Sequence, residues 1–132
     1  MKWMLDTNTC IAIIKQAPEP ALKKLRGKSV GQVGLSSIAL SELANGAAGS
    51  ARPAQNFAAL LEFLMALEVA PYDYAAAMQY GDVRASLEQK GRPIGPLDTL
   101  IAAHALALDA ILVTHNTREF GRVKGLRIED WL

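Results

Sequence analysis

The sequence predicts a three-layer α/β domain, a central parallel sheet of about four to five strands flanked by helices. Three observations carry that expectation. The short apolar runs Trp3-Met4-Leu5 and Ala110-Ile111-Leu112-Val113 read as strands buried on both faces. Longer segments with apolar residues three and four apart alternate with such runs, as parallel strands joined by crossover helices require. No internal repeat, low-complexity tract or linker interrupts the 132 residues, so one domain over 1–132 is expected.

The elements follow in order. Trp3 to Leu5 is the first strand, closed by Asp6-Thr7-Asn8, polar residues that stop strands and cap helices. Cys10 to Lys15 then reads as helical, with Asp6 available as N-cap of a Thr9 to Lys15 helix. Pro18 and Pro20 break it before a second amphipathic piece, Ala21 to Arg26, in which Leu22 and Leu25 share a face. Gly31 to Leu35 is a weak strand, and Ser36 and Ser37 are N-cap candidates for a buried helix over Ile38 to Ala48. Pro53 suits a helix start, and Phe57, Leu60, Leu61, Leu64 and Met65 recur at helical spacing up to a third strand, Leu67 to Ala70. Tyr74 to Lys90 is the longest helical pattern. A Gly/Pro loop over 91–96 precedes a helix from Pro96 to about Leu108. Ala110 to Val113 is a central strand ending at Thr114-His115-Asn116-Thr117, and Leu126 to Ile128 is the last strand.

Composition excludes several classes. With 51% hydrophobic and 20% charged residues, global disorder is ruled out. The longest apolar stretch, Ile101 to Val113, is interrupted by His104 and Asp109 and is too short to cross a bilayer. Met1 to Leu5 does not resemble a secretory leader, so a soluble, cytoplasmic protein with no membrane association is expected. The single Cys10 cannot form an internal disulfide and reads as a small buried hydrophobe. Fourteen basic residues against 13 acidic ones give a net +1, but four acids sequestered in a metal site would leave a surface of +5, suited to a phosphate-rich ligand.

In an open parallel sheet the carboxyl ends of the strands and the neighbouring helix N-termini line the ligand crevice. Four acids converge on that edge: Asp6 closing the first strand, Glu42 one turn into the helix after the second, Asp98 in the first turn of the Pro96 helix, and Glu119 beyond the Ala110 to Val113 strand. Gathered carboxylates raise one another's pKa unless a divalent cation compensates them, and all-oxygen ligation favours Mg²⁺ or Mn²⁺ over zinc. Such ions activate water and stabilise a phosphodiester under in-line attack, which is hydrolytic nuclease chemistry. Each acid also has a purely structural role to set against this: Asp6 as a cap, Asp98 as a complement to the helix dipole, Glu119 as a surface ion pair with Arg118 or Arg122. Glu42 is the most telling, because a charge in an otherwise apolar helix needs a partner.

Four segments then become familiar: Met4-Leu5-Asp6-Thr7-Asn8, Ser37-Ile38-Ala39-Leu40-Ser41-Glu42-Leu43-Ala44-Asn45-Gly46, Pro96-Leu97-Asp98-Thr99-Leu100-Ile101-Ala102-Ala103-His104-Ala105, and Val113-Thr114-His115-Asn116-Thr117-Arg118-Glu119-Phe120. In this order and spacing the chain resembles the PIN-domain ribonucleases, most closely the VapC toxins of type II VapBC toxin-antitoxin pairs, over essentially its whole length. The resemblance implies a PIN-like fold and a Mg²⁺-dependent endoribonuclease, with Mn²⁺ as a possible substitute. It implies Asp6 and Asp98 as the principal metal ligands, Glu42 completing the acidic pocket, and Glu119 as the fourth acid. Thr7, Asn8, Thr114 and Asn116 are similar to residues that support the pocket by hydrogen bonds. Many PIN domains carry Asp where this chain has Asn116, so the fourth carboxylate is either supplied by Glu119 or absent. The ending Arg127-Ile128-Glu129-Asp130-Trp131-Leu132 is similar to the enterobacterial-type branch that cuts initiator tRNA in the anticodon stem-loop. Implied partners are a VapB-type antitoxin that obstructs the pocket, the tRNA substrate, and a second toxin copy in a homodimer within a larger complex.

Beside the fourth acid stand Arg118, Arg122, Lys124 and Arg127, and with His115 at the crevice mouth they include candidate RNA contacts, His115, Arg118 and Arg122 above all. Lys23, Lys24, Arg26 and Lys28 read as a solvated face, His104 as a hydrogen-bonded core histidine, and Tyr72, Tyr74 and Tyr80 as packing residues. The helices over Phe57 to Met65 and Tyr74 to Lys90 carry more apolar surface than one buried face demands, an excess suited to a dimer or an antitoxin groove. Competing readings are poorer. Aspartate phosphotransfer of the haloacid-dehalogenase type expects Asp where Asn8 stands, a receiver-like domain expects Lys where His115 stands, and a non-catalytic PIN-like binding module would need an incomplete acidic set.

Overall fold

The computed structural model describes residues 1–132. A five-stranded, all-parallel sheet runs in the order β3-β2-β1-β4-β5. The strands are β1 (Trp3–Leu5), β2 (Val33–Ser36), β3 (Glu68–Ala70), β4 (Ile111–Val113) and β5 (Ile128–Glu129). Seven helices intervene: α1 (Thr7–Gln16), α2 (Glu19–Arg26), α3 (Ser37–Ala48), α4 (Pro53–Leu64), α5 (Tyr74–Gln89), α6 (Pro96–Ala107) and α7 (Thr117–Phe120). The chain steps outward from β1 to β3, then crosses back to place β4 on the far side of β1. Helices flank this sheet, which yields the expected three layers.

The central strands are short because they need only cross a narrow core. Met4, Leu5, Leu35, Leu112 and Val113 are fully buried, and the core extends through Phe120, Ile101 and the alanines of α6. Register fixes the crevice: Leu5 pairs with Leu35 on one side and with Val113 on the other, so Asp6, Ser36 and Thr114 emerge at one level along the carboxyl edge. Gly34 is obligatory in β2, since a Cβ there would stand 2.1 Å from the Glu68 carbonyl oxygen of the neighbouring strand.

Several boundaries differ from the sequence expectation. The first helix begins at Thr7 rather than Cys10, because the Asp6 carboxylate accepts the Thr9 N–H at 2.8 Å and starts the helix immediately after the strand. The first helix ends before Pro18 as expected, but the second begins at Glu19 rather than Ala21, with Pro20 in its first turn, where its missing N–H costs nothing. The second strand shifts to Val33–Ser36 and the last to Ile128–Glu129, positions set by pairing with β1 and β4. The four-residue helix α7, which has no amphipathic period, was not foreseen.

Candidate active site

The strand order reverses at β1 and β4, and that switch point opens the crevice at which ligands bind in open α/β sheets. Asp6 leaves β1 directly into it. Its side chain is only 4% exposed, with Oδ1 committed to capping α1 and Oδ2 left for another partner. Thr9, overlooked in the sequence, completes this corner. Its N–H caps onto Asp6, and its Oγ1 donates to the Val113 carbonyl at 3.3 Å, pinning α1 to β4 across the switch. Its position three residues after an N-cap Asp was the available signal.

Glu42 is half-buried on α3, and its partner is Thr7, whose hydroxyl donates to Oε1 at 2.6 Å. The charge in the apolar helix is thus aimed at the start of α1. Glu119 lies on α7, where its Oε2 accepts from Asn116 Nδ2 at 2.9 Å. Asn116 is in turn fixed by its backbone N–H, which donates to the fully buried Thr114 Oγ1 at 2.9 Å. Glu119 forms no ion pair with Arg118 or Arg122. Asn8 is exposed and makes no hydrogen bond in the site.

Asp98, in the first turn of α6, joins the other three acids electrostatically. Its pKa is raised from 3.8 to about 6, first by burial and then by the negative charges of Asp6, Glu42 and Glu119. No lysine or arginine pairs with any of the four. A cluster of carboxylates lacking a basic counter-ion fits a divalent cation with oxygen ligands. No three of these side chains stand close enough together to form a ready-made metal cage.

Around this core the candidate RNA contacts are dispersed. Arg118 is exposed, Arg122 donates to the Pro93 carbonyl at 3.2 Å, and His115 pairs through Nδ1 with Asp130 at 2.9 Å. Tyr74 does not pack; it is 80% exposed as the first residue of α5. Cys10 is buried as expected, and burial pushes its thiol far above the ordinary range. An apolar groove of about 150 Å³ runs from Glu42 between α1, α3 and α4, lined by Ile11, Ile14, Leu43 and Leu60. Farther along α4, Leu61 and Met65 are exposed, Met65 by 85%.

Residues 3–126 match the PIN domain family. The chain belongs to the PIN-domain family. It is 46% identical over 131 residues to the tRNA(fMet)-specific endonuclease VapC of Shigella flexneri, covering 99% of this chain and 98% of that one. It is 40% identical to ribonuclease VapC2 of Haemophilus influenzae, covering 100% and 99%. Among solved structures, the toxin chain it resembles in the DNA-bound VapBC complex of Salmonella typhimurium superposes with a TM-score of 0.96 at 45% identity, covering 100% and 99%. A second likeness is to the VapBC2 complex of Rickettsia felis bound to a promoter DNA fragment, with a TM-score of 0.93 at 38% identity and full coverage of both chains. PIN-domain nucleases depend on divalent metal ions, in keeping with the all-carboxylate donor set found here. No helix is long and apolar enough to cross a membrane.

Proposed function

We propose that this chain is the toxin of a VapBC-type pair, an endoribonuclease that cuts initiator tRNA in the cytoplasm and acts as one domain over 1–132. The observation that carries the reading is the meeting of four uncompensated carboxylates, each from a different element, at the topological switch point. Near-full-length identity to a tRNA(fMet)-specific endonuclease supports the substrate.

Asp6 and Asp98 would hold Mg²⁺, or Mn²⁺ in its place, and the ion would supply positive charge for the attacked phosphodiester and acidify a water. The remaining work falls to the chain. Thr7 holds one oxygen of Glu42 and leaves the other free to orient the attacking water or accept its proton. Thr114 and Asn116 hold Glu119 at the opposite rim, so that the two outer acids bracket the inner pair. Hydrolysis by water leaves a 5′-phosphate and a 3′-hydroxyl. Arg118, Arg122 and His115 flank the rim and serve RNA binding through phosphate contacts, which position the strand without reading its sequence. A VapB-type antitoxin laid along the Ile11, Ile14, Leu43 and Leu60 groove would end beside Glu42 and obstruct the acids, and a toxin homodimer would sit within the larger complex.

The test is to incubate antitoxin-free protein with total tRNA in Mg²⁺ or Mn²⁺, with chelator and Asp6→Asn as controls, and to sequence the fragment ends. Discrete cuts in initiator tRNA, ending in 5′-phosphate and abolished by both controls, are expected. Products with 2′,3′-cyclic phosphate would overturn the mechanism, and RNA binding without cleavage would leave a non-catalytic module.

A further inference from the structure

His104 is 1% exposed, in the interior of α6, and takes no part in the acidic crevice. Its Nδ1 stands 2.7 Å from Ser36 Oγ. Ser36 is the last residue of β2 and the N-cap of α3, and its Oγ already accepts the Ile38 N–H at 3.0 Å. The ring also stands in the field of the Asp73 carboxylate and beside the Pro71 carbonyl, both of which can only accept. The ring proton therefore belongs on Nε2, and Nδ1 accepts the proton of the Ser36 hydroxyl. Burial favours this neutral ring. The Tyr72 ring packs edge-on against the imidazole at 5.4 Å, and the Tyr72 N–H donates to Ser37 Oγ at 2.9 Å. One imidazole thus joins the head of α3, the body of α6 and the loop between β3 and α5.

The placement of this joint along its two helices gives it a consequence. Ser36 stands six residues before Glu42, and His104 stands six residues after Asp98, a rise of roughly 9 Å along either helix. Helices α3 and α6 are in contact, and the bond between Ser36 and His104 ties the head of one to the body of the other. Their fully buried core residues are mostly alanines, Ala39, Ala102, Ala103 and Ala105. Contacts between such small side chains are non-directional and resist sliding weakly, whereas a buried hydrogen bond has one geometry.

We propose that His104 is a positioning residue for the acidic site: its bond to Ser36 fixes the register of α3 on α6 and, through it, the spacing of Glu42 from Asp98. This rests on the reading that both carboxylates serve the nuclease. Two substitutions in the full chain separate positioning from packing. His104→Leu keeps the buried volume and removes the acceptor, while His104→Asn places Oδ1 where Nδ1 stood but leaves a void. His104→Leu leaves the buried Ser36 hydroxyl without its acceptor and should melt below wild type; assayed below its melting point it should lose roughly 10-fold or more in both kcat on tRNA and Mn²⁺ affinity, with KM for RNA unchanged. His104→Asn should melt lower, yet keep kcat and Mn²⁺ affinity within about 3-fold when assayed below its melting point. Both variants lose stability, but only His104→Leu loses activity and metal affinity, a split that a merely structural histidine would not produce. If His104→Asn loses kcat and Mn²⁺ affinity as His104→Leu does, or if His104→Leu retains wild-type kcat and Mn²⁺ affinity, the proposal is overturned. A wild-type protein that binds Mn²⁺ but cuts no RNA would refute the ribonuclease reading alone, because the order of Mn²⁺ affinities still decides the positioning role. A wild-type protein that binds no Mn²⁺ would overturn both.

Discussion

Replacing Asp98 with Asn should abolish activity while stabilising the chain wherever metal is withheld. The carboxylate makes no hydrogen bond that Asn would forfeit, and it is charged against the will of its surroundings: burial and three neighbouring acids raise its pKa from 3.8 to about 6. At about 1.4 kcal/mol per pH unit that rise sets an upper limit of about 3 kcal/mol. Half-exposure to solvent screens the interaction, which brings the cost nearer ~1–2 kcal/mol. Losing a negative charge from the first turn of α6 forfeits a further ~0.3–1 kcal/mol of helix-dipole stabilisation. The net gain of about 1 kcal/mol corresponds to a melting temperature higher by about 3–5 °C in a domain of this size. The sign follows from linkage. The folded state holds the Asp98 proton more tightly than the unfolded state, so the wild-type penalty is absent below about pH 4, grows between pH 4 and 6, and is complete above that. Thermal melts of both proteins in chelator should therefore diverge with rising pH and converge near pH 4. Saturating Mg²⁺ should reverse the order, since an ion at 100 times its Kd stabilises its binder by about 2.7 kcal/mol. An Asp98→Asn protein that melts below wild type in chelator at neutral pH, or a difference that does not change with pH, would refute the electrostatic account of the crevice.

Other expectations follow from single contacts. Thr7→Val removes the 2.6 Å bond that orients Glu42 and should lower kcat roughly 10-fold with little change in melting temperature, as read in parallel cleavage and thermal assays. Ala17 ends α1 at φ 43°, a conformation that Gly adopts without strain, so Ala17→Gly should raise stability by about 0.5–1 kcal/mol in urea titration and leave activity untouched. Glu129 accepts from the indole N–H groups of both Trp131 and Trp3, which hold its carboxyl below the usual range, most strongly through Trp131. Its contribution is complete above the unfolded carboxylate pKa and is lost as pH falls through the lower folded value, so Glu129→Gln should flatten the acid limb of the stability curve. Phe120 is fully buried immediately after Glu119, and Phe120→Ala should cost about 3–5 kcal/mol in denaturant unfolding, a large part of the stability of a small domain.

Much of the fold was legible because local chemistry and tertiary demand agreed. Apolar runs at Trp3–Leu5 and Ile111–Val113 have no exposed face to offer and had to be central strands. Pro53 and Pro96 open their helices because their ring geometry suits the first turn. The failures occur where local pattern is weak. The helix α7 is too short to show a period, the edge strand Ile128–Glu129 owes its place to β4, and the second helix starts two residues ahead of Ala21 because Pro20 fits its first turn.

The sequence by itself determined the alternation of strands and helices, the types of the acids, and their arrival at strand ends and helix starts, since these depend on periodicity, capping and the direction of the chain. Only the tertiary structure decided which partner each acid has. Thr7 holding Glu42 spans 35 positions, and the bond from His104 to Ser36 spans 68. Such pairings depend on which strand lies beside which, and the reversal at β1 that gathers Asp6, Glu42, Asp98 and Glu119 into one crevice is a property of the sheet order alone.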